Sequence, residues 1–231
     1  MNIKIKFISI IFYLTSLLLL SIYVTIELTP NIFLVPRVRL LLLTLTCLSL
    51  YLGSLLMGIT LEKNKKDTLM RTTNWIFFAV YIILLSTLVL FDQMFGRQIS
   101  SIFLLSGREL QLHLTHTVNI VPFKEIWRYV AGFINNSMNL NIIITNLLGN
   151  LVAFTPFALF LPMLTRINTF KRFFITILLI TLGVEILQLV TMSGSCDIDD
   201  VILNVGGALI MYMILQIPCI KRFIKILLGD F

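Results

Sequence analysis

Charge is what this sequence has least of. Only 13% of its 231 residues are Asp, Glu, Lys or Arg, about half the share in an ordinary soluble domain. So few charges cannot clothe a folded surface in water, which excludes a globular cytoplasmic enzyme. A 58% hydrophobic content excludes a disordered chain. Cysteine is scarce as well. Cys47, Cys196 and Cys219 make an odd count without metal-ligand spacing, so neither a disulfide framework nor a zinc site is expected. The two histidines, His113 and His116, read as a solvated or interfacial pair, opposed in a strand and on one face in a helix. No Gly-x-Ser-x-Gly, no His-Glu-x-x-His and no phosphate-binding glycine loop is present. The net charge of +7 would in another chain suggest phosphate backbones. Here the basic residues stand at the ends of apolar runs, where they serve as membrane anchors rather than nucleic-acid contacts.

What is present is apolar length. Crossing the hydrocarbon core takes about 20 apolar residues, and residues 7–26, 40–61, 72–91, 140–165, 173–192 and 201–220 qualify. Of these six runs only the fifth holds a charge, Glu185. The fold class is all-α, a polytopic membrane bundle of six transmembrane helices. Lys4 and Lys6 resemble the start of a signal peptide, but the run behind them is too long and lacks a small-residue exit, so it reads as a retained span. Basic residues favour the cytoplasmic side. With the N-terminus inside, twelve lie inside (Lys4, Lys6, Lys63, Lys65, Lys66, Arg71, Arg166, Lys171, Arg172, Lys221, Arg222, Lys225) and six outside (Arg37, Arg39, Arg97, Arg108, Lys124, Arg128). The expectation is a multi-pass protein of the cell membrane with both termini cytoplasmic. Residues 190–202 carry no Lys or Arg and form an outside loop.

The segment 92–139, outside on this topology, has its own patterns. Residues 110–114 alternate like a strand. Phe123, Ile126, Trp127 and Val130 recur at i, i+3, i+4 and i+7, which predicts an amphipathic helix in the outer interface. The run 99–106 is too short to span and either dips into the membrane or rests on it. Residues 1–71 read as a two-helix extension with Ser, Thr and Gly scattered along it, 72–220 as the main membrane domain and 221–231 as a cytoplasmic tail.

Ionisable and amide side chains inside spans are costly, which makes each a candidate site. They gather in the last three spans. Asn146 and Asn150 share a face of the fourth; Thr181, Glu185 and Gln188 share one of the fifth; Asp197, Asp200 and Asn204 follow at i, i+3 and i+7 at the start of the sixth. At 1.5 Å per residue, Glu185, Asn146 and Asn204 lie roughly 10, 9 and 6 Å from the same end of their helices. Carboxylates facing lipid would be expensive, so the three stripes are expected to face one another around a small acidic cavity open to the outside. Asp197 or Asp199 can also cap the sixth helix. Pro156 and Pro162 are expected to kink or loosen the fourth span, and Gly206 and Gly207 to let the sixth pack closely.

At these residues the chain resembles the VanZ-like family of bacterial integral membrane proteins. The resemblance rests on Asn119-Ile-Val-Pro-Phe123, Asn146-Leu-Leu-Gly-Asn150-Leu-Val-Ala-Phe-Thr-Pro156-Phe157, Glu185-Ile-Leu-Gln188 and Asp197-Ile-Asp-Asp200-Val-Ile-Leu-Asn204-Val-Gly-Gly207. It covers residues 72–220 and leaves out the first two spans. Ala158 stands where the family's glycine is expected, which bears on helix contact there. The resemblance implies a place in the cell envelope and a link to low-level resistance to teicoplanin, a lipid-tailed glycopeptide; it supplies no mechanism.

Two readings of the polar cluster follow. In the first, the protein recognises a lipid-linked or lipid-tailed molecule in the outer leaflet. Glu185, Asp200, Asn204 and Asn146 meet its polar head with Asn119, Asn150, Gln188 and Asp197, apolar walls take the tail, and the 119–123 segment lids the site. In the second, it is an intramembrane hydrolase or transferase. Glu185 is then the base, and Asp200 orients water, a hydroxyl or a cation. No cofactor is called for, although a divalent cation on Glu185, Asp197 and Asp200 is chemically reasonable. A blander reading makes Glu185 and Gln188 hydrogen-bonding glue between helices. A small transporter comes last, because the inner halves of the spans carry no ionisable residue.

Overall fold

The computed structural model describes residues 2–29, 36–91 and 102–228; Arg97 and residues 99–101 lie outside them. Among the described residues six helical stretches are long and apolar enough to cross a membrane, as the all-α reading requires. The chain forms two compact units, Met1–Phe78 with Ile226–Gly229, and a second built from Ala79–Lys225.

In the first unit α1 (Asn2–Leu28) packs along α2 (Pro36–Ile59). Aliphatic residues dominate both sequences, yet small polar residues bond across the contact. Ser9 Oγ donates to the Gly53 carbonyl at 2.8 Å, Ser16 Oγ to Thr46 at 3.1 Å, and Ser49 Oγ to Phe12 at 2.8 Å. The partners run in opposite order, so the helices are antiparallel. Lipid offers no hydrophobic drive for helix pairing, which leaves such bonds and close packing to hold the pair. Residues that look scattered in the sequence therefore line one seam. The start of α3 (Lys63–Ser86) joins through Ser54 and Thr73, whose hydroxyls lie 2.9 Å apart. The last turn of α10 (Pro218–Leu228) also belongs here. Its Leu227 and Leu228 carbonyls accept from Tyr51 Oη at 2.7 Å and Asn74 Nδ2 at 3.0 Å, satisfying acceptors that a helix end leaves without a partner.

The second unit starts in the C-terminal part of α3, which runs into a π-helical turn, Thr87–Phe91. A short 3₁₀ turn, Ile102–Leu104, leads to α4 (Gly107–Thr117). The strand-like alternation at 110–114 is thus overruled, and His113 and His116 share a helix. A single strand there would leave its backbone unpaired. Instead, the Ser106 N–H and hydroxyl both donate to Glu109 Oε2, at 2.9 and 2.7 Å, and start a helix. Strand pairing occurs just beyond it: β1 (Val118–Asn119) lies parallel to β2 (Cys196–Asp197). Next comes α5 (Lys124–Ile134), too short to span. Trp127 and Phe133 are exposed along it, while Ile126, Tyr129 and Val130 are half-buried.

The fourth span is two helices, not one kinked helix. α6 (Leu140–Ala153) stops, and α7 (Phe157–Leu164) begins behind Pro156. Proline supplies no N–H and disfavours helix in the residue before it. The Ala153 carbonyl accepts the Tyr81 hydroxyl at 2.8 Å, and the Tyr81 ring meets Phe157 edge-on at 5.2 Å. Pro162 sits inside α7 without ending it. Ala158, in place of the glycine, is buried. The unit is completed by α8 (Phe170–Val190) and α9 (Ile198–Leu215), with Phe173 stacked on Tyr212 at 4.5 Å. At Gly207 the backbone of α9 lies close against α6. A Cβ at Gly207 would fall 1.7 Å from the Leu151 carbonyl oxygen, whereas one at Gly206 would meet nothing.

Candidate functional site

The acidic residues converge where β2 runs into α9. Asp197 caps that helix: its Oδ1 accepts the Asp199 N–H at 2.8 Å and Asn119 Nδ2 at 2.9 Å. The N–H of Asp197 donates in turn to Glu185 Oε2 at 3.0 Å. A line of bonds thus ties α8, the β pair and α9 together, and every member is buried or half-buried.

Asp199 does something the sequence reading did not foresee. Its side chain is 1% exposed and serves a different helix. Oδ1 accepts the Phe123 N–H at 2.5 Å, and Oδ2 accepts the Glu125 and Ile126 N–H groups at 2.7 and 3.1 Å. These are donors at the start of α5, which a helix cannot satisfy itself. The carboxylate also meets the positive end of that helix dipole. Phe123, with φ 64°, is left-handed, a conformation that costs a non-glycine residue roughly 1–2 kcal/mol. The turn after Pro122 is held in that state by the bond to Asp199. The sequence did carry a signal: α5 has no Ser, Thr, Asp or Asn at its own cap position, so its donors needed an acceptor from elsewhere.

Asp200 faces another way. It is half-buried and accepts Asn150 Nδ2 from α6. Tyr129 of α5 stands close enough to feel it. Burial pushes the Tyr129 phenol above its ordinary range, Glu125 and Asp200 add to this, and Arg128 opposes it. One turn beyond Asp200, Asn204 is 4% exposed, and its Oδ1 has no hydrogen-bond partner. An unsatisfied buried carbonyl costs about 1–3 kcal/mol, and such groups call for an explanation.

Not every expected residue joins this arrangement. Asn146 turns back on its own helix, donating to the Ile142 carbonyl at 2.8 Å. Gln188 is buried, donates to the Val89 carbonyl at 3.2 Å and lies against Gly194. The three stripes therefore do not converge evenly: Glu185, Asp197 and Asn119 form one group, and Asp200 pairs with Asn150 where α9 packs on α6, with Asn204 one turn further along α9. Among the described residues no three His, Cys, Asp or Glu side chains stand together as a metal site. Glu185 and Asp197 each direct one oxygen at a backbone N–H group. Tyr129 is absent from the sequence reading, and Asp199, read there as a possible cap of the sixth helix, instead accepts the first N–H groups of α5.

No curated protein and no solved structure matches the chain. The family model of VanZ/LLP1 matches residues 78–220, a stretch that holds the β pair, both carboxylate groups and the α6–α9 contact. Matching well over half of its length, the chain belongs to the VanZ/LLP1 family.

Proposed function

We propose that the second unit binds the polar head of a lipid-linked or lipid-tailed molecule in the outer leaflet of the bacterial cell membrane, and that this binding protects the envelope against teicoplanin-type glycopeptides. Both termini are then cytoplasmic, as the distribution of Lys and Arg favours. The observation that carries the reading is the unpartnered Asn204 Oδ1 beside the Asp200–Asn150 pair. A carboxylate and a free amide carbonyl on one face of α9 are acceptors. They suit a head group rich in donors, such as sugar hydroxyls, amide N–H groups or an amine. Exposed Ile120, Phe123 and Trp127, at 78%, 61% and 68%, supply apolar surface beside the Asp199 contact with α5 for the tail and the bilayer. Catalysis by Glu185 has less support, since its Oε2 accepts a backbone N–H of the fold.

Asn204→Leu and Asp200→Asn test this. Removing an unsatisfied buried carbonyl is expected to leave the thermal midpoint of the purified protein unchanged or raised. The same change should abolish teicoplanin protection in cells at equal membrane levels. Full protection with both substitutions ends the proposal. Mass spectrometry of membrane lipids from cells with and without the protein separates binding from turnover: a chemically altered lipid would establish the transferase or hydrolase reading.

A further inference from the structure

A second lipid contact follows from α10, which the sequence suggests only as a tail. It is an 11-residue helix without an acidic residue, about 16 Å long and too short to span. It starts three residues after α9 ends, at the boundary of the last span. Its exposed side divides lengthwise. Lys221, Arg222 and Lys225 lie along one strip, and Cys219, Phe223 and Ile226, at i, i+4 and i+7, along the next. Phe223 and Ile226 are 61% and 75% exposed. The opposite side, with Ile220, Ile224 and Leu227, is half-buried.

We infer that α10 is a docking surface for anionic membrane lipids. Its exposed strip of Phe223 and Ile226 enters the acyl boundary while Lys221, Arg222 and Lys225 meet the phosphates. The charge is complementary, and the geometry suits a helix lying in the interface. Each basic residue near an anionic leaflet strengthens binding about fivefold, so the three together give roughly a hundredfold. This inference does not depend on the site around Asp200.

The test uses the full chain in nanodiscs, with Cys47→Ala and Cys196→Ser so that Cys219 alone carries an environment-sensitive bimane. Discs of phosphatidylcholine are compared with discs containing phosphatidylglycerol. The expected result is a blue shift of the emission with phosphatidylglycerol. It should be lost at about 1 M salt, where the screening length falls to about 3 Å. Replacing all three basic residues by Gln should abolish the shift, and the charge-preserving pair Lys221→Arg with Lys225→Arg should keep it. Equal emission in the two lipids, or a shift that survives the Gln substitutions, overturns the inference.

Discussion

Asp199 and Asp200 are adjacent in the chain, yet successive helical residues point about 100° apart, and these two carboxylates meet different neighbours. Asp199 accepts three backbone N–H groups of α5, so Asp199→Asn presents an amide donor to donors in a buried place. The expected loss is about 3 kcal/mol, read as a fall in thermal midpoint. Asp200→Asn keeps an oxygen for Asn150 in a half-buried position and should change stability by under about 1 kcal/mol. Equal losses in the two variants would dissolve the division between Asp199 as the holder of α5 and Asp200 as a binding group. The sequence displayed both acids and the helix they begin, and the spacing of Asp197, Asp200 and Asn204 pointed to one stripe. It could not display the destination of Asp199, because its acceptor role depends on a turn 76 residues away. Glu185 shows the same limit: its depth in the span was legible, but its partner is a backbone N–H contributed by β2.

Among the elements, α9 is the one whose identity depends most on a missing side chain. At Gly207 a methyl group would collide with the Leu151 carbonyl, and backbone cannot swing aside as a flexible side chain can. Gly207→Ala should force α9 away from α6, at a cost of roughly 1–3 kcal/mol for overpacking. It should also misplace Asp200 against Asn150. Gly206→Ala has open space and is the control. Comparing the two variants for thermal midpoint and for teicoplanin protection checks the claim; loss in both, or in neither, counts against it. Here the sequence was half legible. Paired glycines announced close packing without telling which one makes it, since that depends on the crossing geometry of two helices. Runs of apolar residues announced the spans, while the break between α6 and α7 went unread because proline in a membrane helix either bends it or ends it. The deciding partner, Tyr81, lies 72 residues earlier. The alternation at 110–114 misled because period-two patterning says nothing about whether a partner strand exists.

For the whole molecule, the two units make different claims on the membrane. The described hydrogen bonds of the candidate site run within Ala79–Lys225, whereas the α1–α2 seam is bonded through Ser9, Ser16 and Ser49. Deleting residues 1–62 removes two spans and leaves Lys63, Lys65, Lys66 and Arg71 to fix the start of α3 inside. The polarity of all later spans should be unchanged. An impermeant maleimide added to whole cells should label Cys196 and spare Cys219 in both the full chain and the shortened one. Labelling has a pH signature too. Burial, with smaller contributions from Glu185 and Asp197, holds the Cys196 thiol above its ordinary range. A raised thiol has less reactive thiolate at neutral pH, so its labelling should be slow near pH 7 and keep accelerating beyond the range of a free thiol. Labelling of Cys219 from outside would invert the topology. Labelling of Cys196 in the full chain but not in the shortened one would show that the first two spans set the orientation of the rest.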